Sequence, residues 1–171
     1  MNKALLVIDV QEDIIGENRC KKRFSYKNPE LLIQNINNSI EDYRQKGYVI
    51  IYIAEVFPKM LLSKLFVRRL IRGTEGVKLV KGLNIVSDNY FEKIKSSAFS
   101  NKKLCQFIYE KHIDKVVLCG FDGALCVAAT AKAAHKLGFK VNIIKNSVDA
   151  FNDNRAEKVK VKFKKLGIKY I

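Results

Sequence analysis

The sequence predicts an α/β protein built on a doubly wound, mainly parallel sheet of about six strands with helices on both faces. Short apolar runs alternate along the chain with longer stretches of helical periodicity, which is typical of parallel strands joined by crossover helices. Two of the helical stretches end at a glycine, a residue that helix ends favour. With 171 residues, of which 48% are hydrophobic, the chain can form one sizeable core, so we expect a single domain over residues 1–171.

The strands are predicted from short runs rich in Val, Ile and Leu. They cover Ala4–Ile8, Val49–Ala54, Lys115–Cys119, Lys140–Ile144 and Ile168–Ile171, and a further strand lies within Leu83–Glu92. Apolar residues at helical spacing predict helices over Pro29–Lys46, Asn101–His112 and Ala124–Leu137. The stretch Glu157–Gly167 fits a strand by its alternation and a helix by the spacing of Val159, Phe163 and Leu166. Its place before the last strand favours the helix.

The charge of the chain is strongly positive, +15 from 32 Lys and Arg against 17 Asp and Glu. Such a balance can mark a nucleic-acid or anionic-membrane partner. The lysines, however, are spread from Lys3 to Lys169, and no nucleic-acid-binding signature accompanies them. We therefore expect a solvated, lysine-rich surface and no nucleic-acid partner. No apolar run approaches the roughly 20 residues that span a bilayer, so we expect no membrane span and a cytoplasmic protein.

The segment Phe57–Gly76 follows the second strand and interleaves bulky apolar residues with Lys and Arg. Its spacing predicts a basic amphipathic helix on the side of the sheet where open α/β folds bind ligands. Packing on its own domain or at a subunit contact is the plainer interpretation, and a lid over the site or a membrane-surface contact are the alternatives. The apolar side over Met60–Ile71 is larger than a monomer normally exposes, which favours a homo-oligomer.

The cysteines Cys20, Cys105, Cys119 and Cys126 form neither a CxxC pair nor a zinc spacing, so we expect no disulfide framework and no structural metal. Cys126 follows an apolar strand and a glycine turn, where a helix of small residues begins. Unpaired N–H groups and the positive end of a helix dipole favour a thiolate at such a position, which suits chemistry. Burial as a small hydrophobic residue would account for the same position.

Two charged residues occupy comparable positions at predicted strand ends. Asp9 closes the first strand and Lys93 follows the third, while Cys126 follows the fourth. The carboxyl ends of parallel strands share one rim, so a carboxylate, an ammonium and a thiol that are far apart in sequence can converge there. Each has a plainer interpretation: Asp9 as a cap of the following turn, Lys93 as a surface lysine, and Cys126 as part of the core.

Three stretches in order resemble the isochorismatase-like cysteine hydrolases, the superfamily of nicotinamidases, N-carbamoylsarcosine amidohydrolases and isochorismatases. The stretch "ALLVIDVQEDI" is similar to the family's opening strand with its D-x-Q, and "EKIKSSAF" to its K-x-x-x-S-A-F segment. The stretch "VVLCGFDGALCVAATAKAAHKLGFKVNII" is similar to its nucleophile strand, turn and helix. The resemblance runs essentially from end to end of the chain.

The resemblance implies a Cys-Asp-Lys triad that acts on the carbonyl carbon of a small amide. Cys126 would be the nucleophile, Asp9 the base that takes its proton, and Lys93 the cation that holds both. The backbone N–H groups of Asp122 and Cys126 would form the oxyanion hole, and a cis peptide would fall between Phe121 and Asp122. The nearby ammonium and helix amides are expected to raise the thiolate fraction of Cys126.

The sequence departs from the family pattern in two places. Nicotinamidases carry a metal site with Asp-x-His and further histidines, whereas "YIAEVFPKM" here has none, and His112 and His135 lie in predicted helical segments. We therefore expect no metal and no cofactor. Asp122 and Gly123 stand where small or hydroxylated residues are common, so we expect the Asp122 carboxylate to repel anionic substrates.

The expected function is that of a metal-independent cysteine hydrolase acting on a C–N bond of a small amide, ureido or imide compound. Its substrate pocket is expected to include Gln11, Phe121 and Asp122. The alternative is a non-catalytic or regulatory protein of the same fold that recruits an anionic partner through its basic surface. The resemblance also implies a homo-oligomer, either a dimer or a tetramer.

Overall fold

The computed structural model describes residues 2–17, 19, 28–59 and 69–171, which form an α/β fold around one six-stranded parallel sheet. The strand order is β3-β2-β1-β4-β5-β6, with parallel pairing throughout. The strands are β1 (Asn2–Ile8), β2 (Val49–Glu55), β3 (Tyr90–Lys93), β4 (Ile113–Phe121), β5 (Lys140–Asp149) and β6 (Lys169–Tyr170). The helices are α1 (Glu12–Ile15), α2 (Pro29–Gln45), α3 (Lys102–Glu110), α4 (Cys126–Lys136) and α5 (Asp153–Lys165). This architecture confirms the predicted fold class.

The ambiguous stretch before the last strand is helical, as its position in the alternation predicts. Within α5, Phe163 is buried, and Val159 and Leu166 pack against the same apolar cluster. Val161 is 60% exposed, although strand alternation would have placed it on one face with Val159 and Phe163. The apolar face therefore follows the helical period.

The third strand is shorter than its predicted window and lies at the window's carboxyl end. The preceding segment is held as a loop by side chains of neighbouring elements. The Tyr52 hydroxyl donates to the Asn84 carbonyl at 2.7 Å and accepts the Val86 N–H at 3.0 Å. Asn37 of α2 donates to the Gly82 carbonyl at 2.7 Å. These contacts satisfy backbone groups that a longer strand would have paired within the sheet.

Apolar clusters cover both faces of the sheet because successive side chains of a buried parallel strand alternate in direction. On one face, Leu6 of β1 and Leu118 of β4 belong to a cluster that includes residues of α3, α4 and α5. On the other, Leu5 and Val117 belong to a cluster that includes Leu32, Ile36 and Ile40 of α2. The two clusters place helices on both sides of the central strands.

The strand order places the carboxyl ends of β3, β2, β1 and β4 side by side on one rim. The crossover direction changes between β1 and β4, the point at which open α/β sheets leave a crevice for ligands. Gly120 allows β4 to approach β1 closely there: its φ is +108°, and a Cβ atom on it would collide with the Ile8 backbone. The rim thus brings Asp9, which follows Ile8, next to the turn that leads into α4.

The central part of the predicted amphipathic helix over Phe57–Gly76, residues 60–68, lies outside the described residues. Its described flanks form no α-helix, and only a short 3-10 turn begins at Glu75. Phe57 pairs with Ile71 in an isolated parallel bridge, and the Leu70 N–H donates to the Asp13 carboxylate at 2.7 Å. None of the described helices combines the length and hydropathy needed to cross a membrane.

Candidate active site

Asp9 lies immediately after β1, at the centre of the rim. Its side chain is 1% exposed, and its backbone has a φ of 54°, in the left-handed region that few non-glycine residues adopt. The Asp9 N–H donates to the Ile53 carbonyl of β2 at 2.8 Å, which anchors this turn to the neighbouring strand. The carboxylate atom Oδ1 is buried and has no hydrogen-bond partner among the described residues.

Lys93, the last residue of β3, brings its buried ammonium into contact with the other two candidate residues. Its Nζ lies 2.8 Å from Oδ2 of Asp9 and 3.4 Å from Sγ of Cys126. Cys126 is the first residue of α4 and is partly exposed. The rim therefore brings together the carboxylate, ammonium and thiol that the sequence analysis placed at separate strand ends.

Glu55, the last residue of β2, is a fourth member of this cluster that the sequence analysis missed. Its Oε1 lies 3.2 Å from Nζ of Lys93. One carboxylate oxygen each of Asp9 and Glu55 and the Cys126 sulfur all lie within 4.8 Å of one another. A signal was present, because Glu55 closes its apolar strand just as Asp9 closes β1.

Gln11 holds the backbone of Glu55 in place. Its Nε2 donates to the carbonyl oxygens of Glu55 at 3.0 Å and Val77 at 2.8 Å, and its Oε1 accepts the Glu55 N–H at 2.8 Å. The side chain is fully buried. Gln11 therefore acts as a brace between β1, β2 and the Val77 turn, and its amide does not present free polar groups to a pocket.

Burial dominates the protonation of the cluster. It raises the pKa of Asp9 from 3.8 to about 6, although the Lys93 ammonium lowers it. Burial and then the charge of Asp9 raise the pKa of the Cys126 thiol, and Lys93 offsets only part of this. Burial alone would lower the pKa of Lys93, but Asp9, Cys126 and Glu55 together raise it. These directions favour a carboxylate, an ammonium and a protonated thiol in the resting site at neutral pH, which runs against the expected rise in thiolate fraction.

The turn between β4 and α4 contains the cis peptide between Phe121 and Asp122 that the resemblance implies. Most of its N–H groups are engaged. Gly123 donates to the Asp149 carbonyl at 2.8 Å, and Leu125 and Val127 both donate to the Asp122 carbonyl at 3.0 Å. Over the part of the chain that the structure describes, the N–H groups of Asp122 and Cys126 have no protein partner, which leaves the two predicted oxyanion-hole donors available.

The side chains of Asp122 and Phe121 are turned away from the role predicted for them. Oδ1 of Asp122 accepts the Ala124 N–H at 2.5 Å. Burial raises the pKa of Asp122, and backbone donors at Ala124, Phe151 and Leu125 together with Arg155 oppose that rise. The Phe121 ring belongs to the apolar cluster on the α2 side of the sheet. Oδ1 of Asp122 therefore stabilises the turn, while Oδ2 is buried without a hydrogen-bond partner among the described residues, so this geometry gives no support to the expected repulsion of anionic substrates.

The cluster does not fit a metal ion. Asp9, Glu55 and Cys126 offer three ligating atoms, but the Lys93 ammonium already lies 2.8 Å, 3.2 Å and 3.4 Å from them. A divalent ion among the same atoms would have to displace this buried cation or lie against it. His112 and His135 follow α3 and end α4, respectively, and neither belongs to the cluster.

A groove of about 560 Å³ lies beside the end of β3 and reaches Lys93. Basic residues (Arg72, Lys95, Lys102 and Lys103) and apolar or aromatic ones (Val56, Tyr90, Phe91 and Ile94) both line it, so its wall is mixed. Arg72 forms an ion pair with Glu92 across this surface. The groove lies at the outer edge of the sheet, next to the end of β3.

Comparison with known proteins identifies close structural counterparts for the whole chain. The sequence profile of the Isochorismatase domain matches residues 3–170. A probable inactive nicotinamidase of Arabidopsis thaliana is 29% identical over 162 residues, covering 87% of this chain and 81% of that protein. The crystal structure of nicotinamidase PncA from Bacillus subtilis superposes with a TM-score of 0.84 at 26% identity, covering 99% of this chain and 98% of that one. An isochorismatase-like hydrolase from Alkaliphilus metalliredigens superposes with a TM-score of 0.81 at 25% identity, covering 99% and 93% of the two chains.

Proposed function

Because the chain belongs to the isochorismatase family, we propose that it is a metal-independent cysteine hydrolase that cleaves a C–N bond in a small amide, ureido or imide compound. The main support for this proposal is the contact of Lys93 with both Asp9 and Cys126. The Lys93 ammonium lies within 2.8 Å of the Asp9 carboxylate and 3.4 Å of the Cys126 sulfur, although the three residues come from separate elements. This juxtaposition supplies a nucleophile, a base and a cation in one buried cluster.

The first step is attack of the Cys126 sulfur on the substrate carbonyl carbon. The thiol is protonated at rest, so its proton passes to the Asp9 carboxylate as the C–S bond forms. With a pKa of about 6, Asp9 is mostly ionised at neutral pH and close to the range in which a general base is most effective. The Lys93 ammonium stabilises the negative charge that develops on sulfur during the transfer.

Collapse of the tetrahedral intermediate breaks the C–N bond. The negative charge on the former carbonyl oxygen is received by the backbone N–H groups of Asp122 and Cys126. Protonated Asp9 returns its proton to the leaving nitrogen, which departs as ammonia or an amine and leaves a thioester on Cys126.

Water completes the reaction. Asp9, again a carboxylate, takes a proton from water as its oxygen attacks the thioester carbon. The C–S bond breaks, the sulfur regains its proton from Asp9, and the carboxylic acid product leaves. The same carboxylate therefore serves twice as base and twice as acid, while Lys93 keeps its proton throughout.

Ammonia release from a panel of small amides and ureido compounds tests the proposal. We expect wild type to release ammonia from at least one member and the Cys126→Ala variant to lose that activity. Cys105→Ala is the matched control, because Cys105 is also a partly exposed free cysteine but contacts the Phe99 carbonyl, outside the cluster. Equal rates for wild type and Cys126→Ala would remove Cys126 as the nucleophile.

A second candidate is a binding protein without catalytic activity, which the similarity to a probable inactive plant nicotinamidase favours. In that case the charge of +15 would serve to recruit an anionic partner. Intact-mass spectrometry after brief exposure to an activated acyl donor separates the two. The hydrolase forms a transient acyl adduct on Cys126, whereas the binding protein forms none.

The assembly remains a prediction. A homo-oligomer, dimer or tetramer, is expected from the family resemblance and from the apolar residues of the Met60–Ile71 segment. Light scattering at micromolar concentration measures it directly, and a monomer would contradict it.

A further inference from the structure

Glu55 is the most accessible charged group of the cluster. Its side chain is 18% exposed, compared with 1% for Asp9 and 0% for Lys93. Oε1 contacts Lys93 at 3.2 Å, and Oε2 has no hydrogen-bond partner among the described residues. As far as the described residues go, Oε2 of Glu55 is therefore available to a molecule that enters the site.

The backbone of Glu55 is held by Gln11 on one side and by strand β3 on the other. Gln11 binds both the N–H and the carbonyl of Glu55, and β2 pairs with β3 so that Glu55 is the register partner of Lys93. The fully buried Gln11 is itself tied to the Val77 carbonyl. The fixed backbone and the contact between Oε1 and the Lys93 ammonium at 3.2 Å together keep the carboxylate beside the cluster.

Glu55 lies close enough to Cys126 to contact a group attached to a carbonyl carbon bound there. A carboxylate oxygen of Glu55 and the Cys126 sulfur lie within 4.8 Å of each other. A carbonyl carbon bonded to the Cys126 sulfur would therefore hold the first atoms of its acyl substituent close to Glu55. The described cluster contains two carboxylates and one ammonium, so its net charge is negative with Asp9 ionised, and Lys93 is already shared between both acids.

We propose that Glu55 is a specificity-determining residue that selects amides with a positive charge or an N–H donor on the acyl side of the scissile carbonyl and excludes those with a carboxylate there. This inference rests on the proposed function, because it requires the carbonyl carbon to bind at the Cys126 sulfur. An ammonium or amino group would bind Oε2 of Glu55, whereas a carboxylate would meet a like charge in a poorly solvated site.

Three probes of matched size test the inference: glycinamide, propionamide and malonamate, which carry an ammonium, a methyl and a carboxylate next to the same carboxamide. At pH 7, Asp9 is mostly ionised, since its pKa is about 6, and an α-amino group with a pKa near 8 is mostly protonated. We expect wild type to prefer glycinamide over malonamate in kcat/KM for ammonia release. In Glu55→Gln that ratio should fall about tenfold or more.

Two further variants separate the role of Glu55 from a general effect of charge or of folding. Glu92→Gln makes the same charge change one residue before Lys93, at a side chain that pairs with Arg72 instead. It should leave the ratio as in wild type. Glu55→Asp keeps the charge, so it should retain the preference for glycinamide, and it replaces Glu55→Gln as the test if the latter does not fold. A ratio unchanged in Glu55→Gln, or equal turnover of all three probes by wild type, would overturn the inference.

Binding gives a readout that does not depend on turnover. Chemical-shift titration of Cys126→Ala with the same probes should rank glycinamide above malonamate, and Cys126→Ala/Glu55→Gln should lose that ranking. If wild type hydrolyses no amide but the titrations show this pattern, the proposed function fails and Glu55 is assigned only the selection of the bound molecule. If wild type hydrolyses amides but neither assay depends on Glu55, the assignment fails and the proposed function stands.

Discussion

The end of β1 and the turn after β4 each hold a buried aspartate, and the two differ in their partners. Asp9 has Oδ1 without a hydrogen-bond partner among the described residues and Oδ2 at 2.8 Å from the Lys93 ammonium. Asp122 uses Oδ1 to accept the Ala124 N–H at 2.5 Å, and its Oδ2 also has no hydrogen-bond partner among the described residues. Burial raises the pKa of both. Burial alone therefore does not assign a role, because one carboxylate pairs with an ammonium while the other accepts a hydrogen bond from its own turn.

The largest expected effect is the loss of hydrolytic activity in the Asp9→Asn variant. Without a base to accept the Cys126 proton, kcat/KM should fall by roughly 10²- to 10⁴-fold. Asp122→Asn makes the same chemical change and should retain most of the activity, because an amide oxygen can still accept the Ala124 N–H. Steady-state ammonia release from the best substrate measures both. If the two variants lost activity equally, the distinction between the two aspartates would collapse.

The second largest effect is expected for the Lys93→Met variant, which should be less stable than wild type. This change leaves the buried Asp9 carboxylate without its cation, which typically costs about 3 to 5 kcal/mol. The free energy of unfolding from urea titrations at pH 7.5 is the measurement. Lys95→Met, at an exposed lysine two residues away, serves as the control and should change the free energy of unfolding by less than about 0.5 kcal/mol. A Lys93→Met protein as stable as wild type would show that the ion pair is not formed in solution.

The pH dependence separates the two aspartates through the pKa of Asp9. Because the base must be ionised, kcat/KM should rise about tenfold per pH unit below pH 6 and level off above it, where Asp9 is a carboxylate. The Asp122→Asn variant should show the same rise of kcat/KM with pH. A rise with its midpoint near pH 4 would mean that Asp9 is not the titrating base.

The same pKa has a consequence for folding. The pKa of Asp9 is raised from 3.8 to about 6, so the folded protein binds more protons than the unfolded chain between these values. The contribution of Asp9 to stability is therefore fully present below pH 3.8 and is lost as the pH rises through 6. The difference in unfolding free energy between wild type and Asp9→Asn, measured at pH 4 and pH 7, should show this decrease. An increase over the same range would contradict the raised pKa.

The smallest effect is expected for Asp122→Ala. The substitution leaves the Ala124 N–H without its acceptor, which should cost about 1 to 3 kcal/mol of stability. The ratio of malonamate to propionamide turnover should not change, because the Asp122 carboxylate is bound within its own loop. A rise in that ratio would restore the interpretation in which Asp122 repels anionic substrates.

Much of the fold could be predicted because its signals are local. Strand runs rich in Val, Ile and Leu and the glycine after each of two helices depend on the periodicity of the residues themselves. The window for β3 was less accurate, because the side chains of Tyr52 and Asn37 hold the preceding segment as a loop. No local pattern reports a hydrogen bond from a residue more than 30 positions away.

The sequence by itself predicted the fold class, and it predicted the meeting of Asp9, Lys93 and Cys126 from the rim that parallel strands share together with the family resemblance. Only the tertiary structure decided that Glu55 joins them, that Gln11 braces Glu55, and that the Asp122 carboxylate bonds to its own turn. It also decided that the Cys126 thiol is protonated at rest, because burial outweighs the single nearby ammonium. Such properties depend on rotamers and on the packing of distant elements, and strand order alone does not specify either of them.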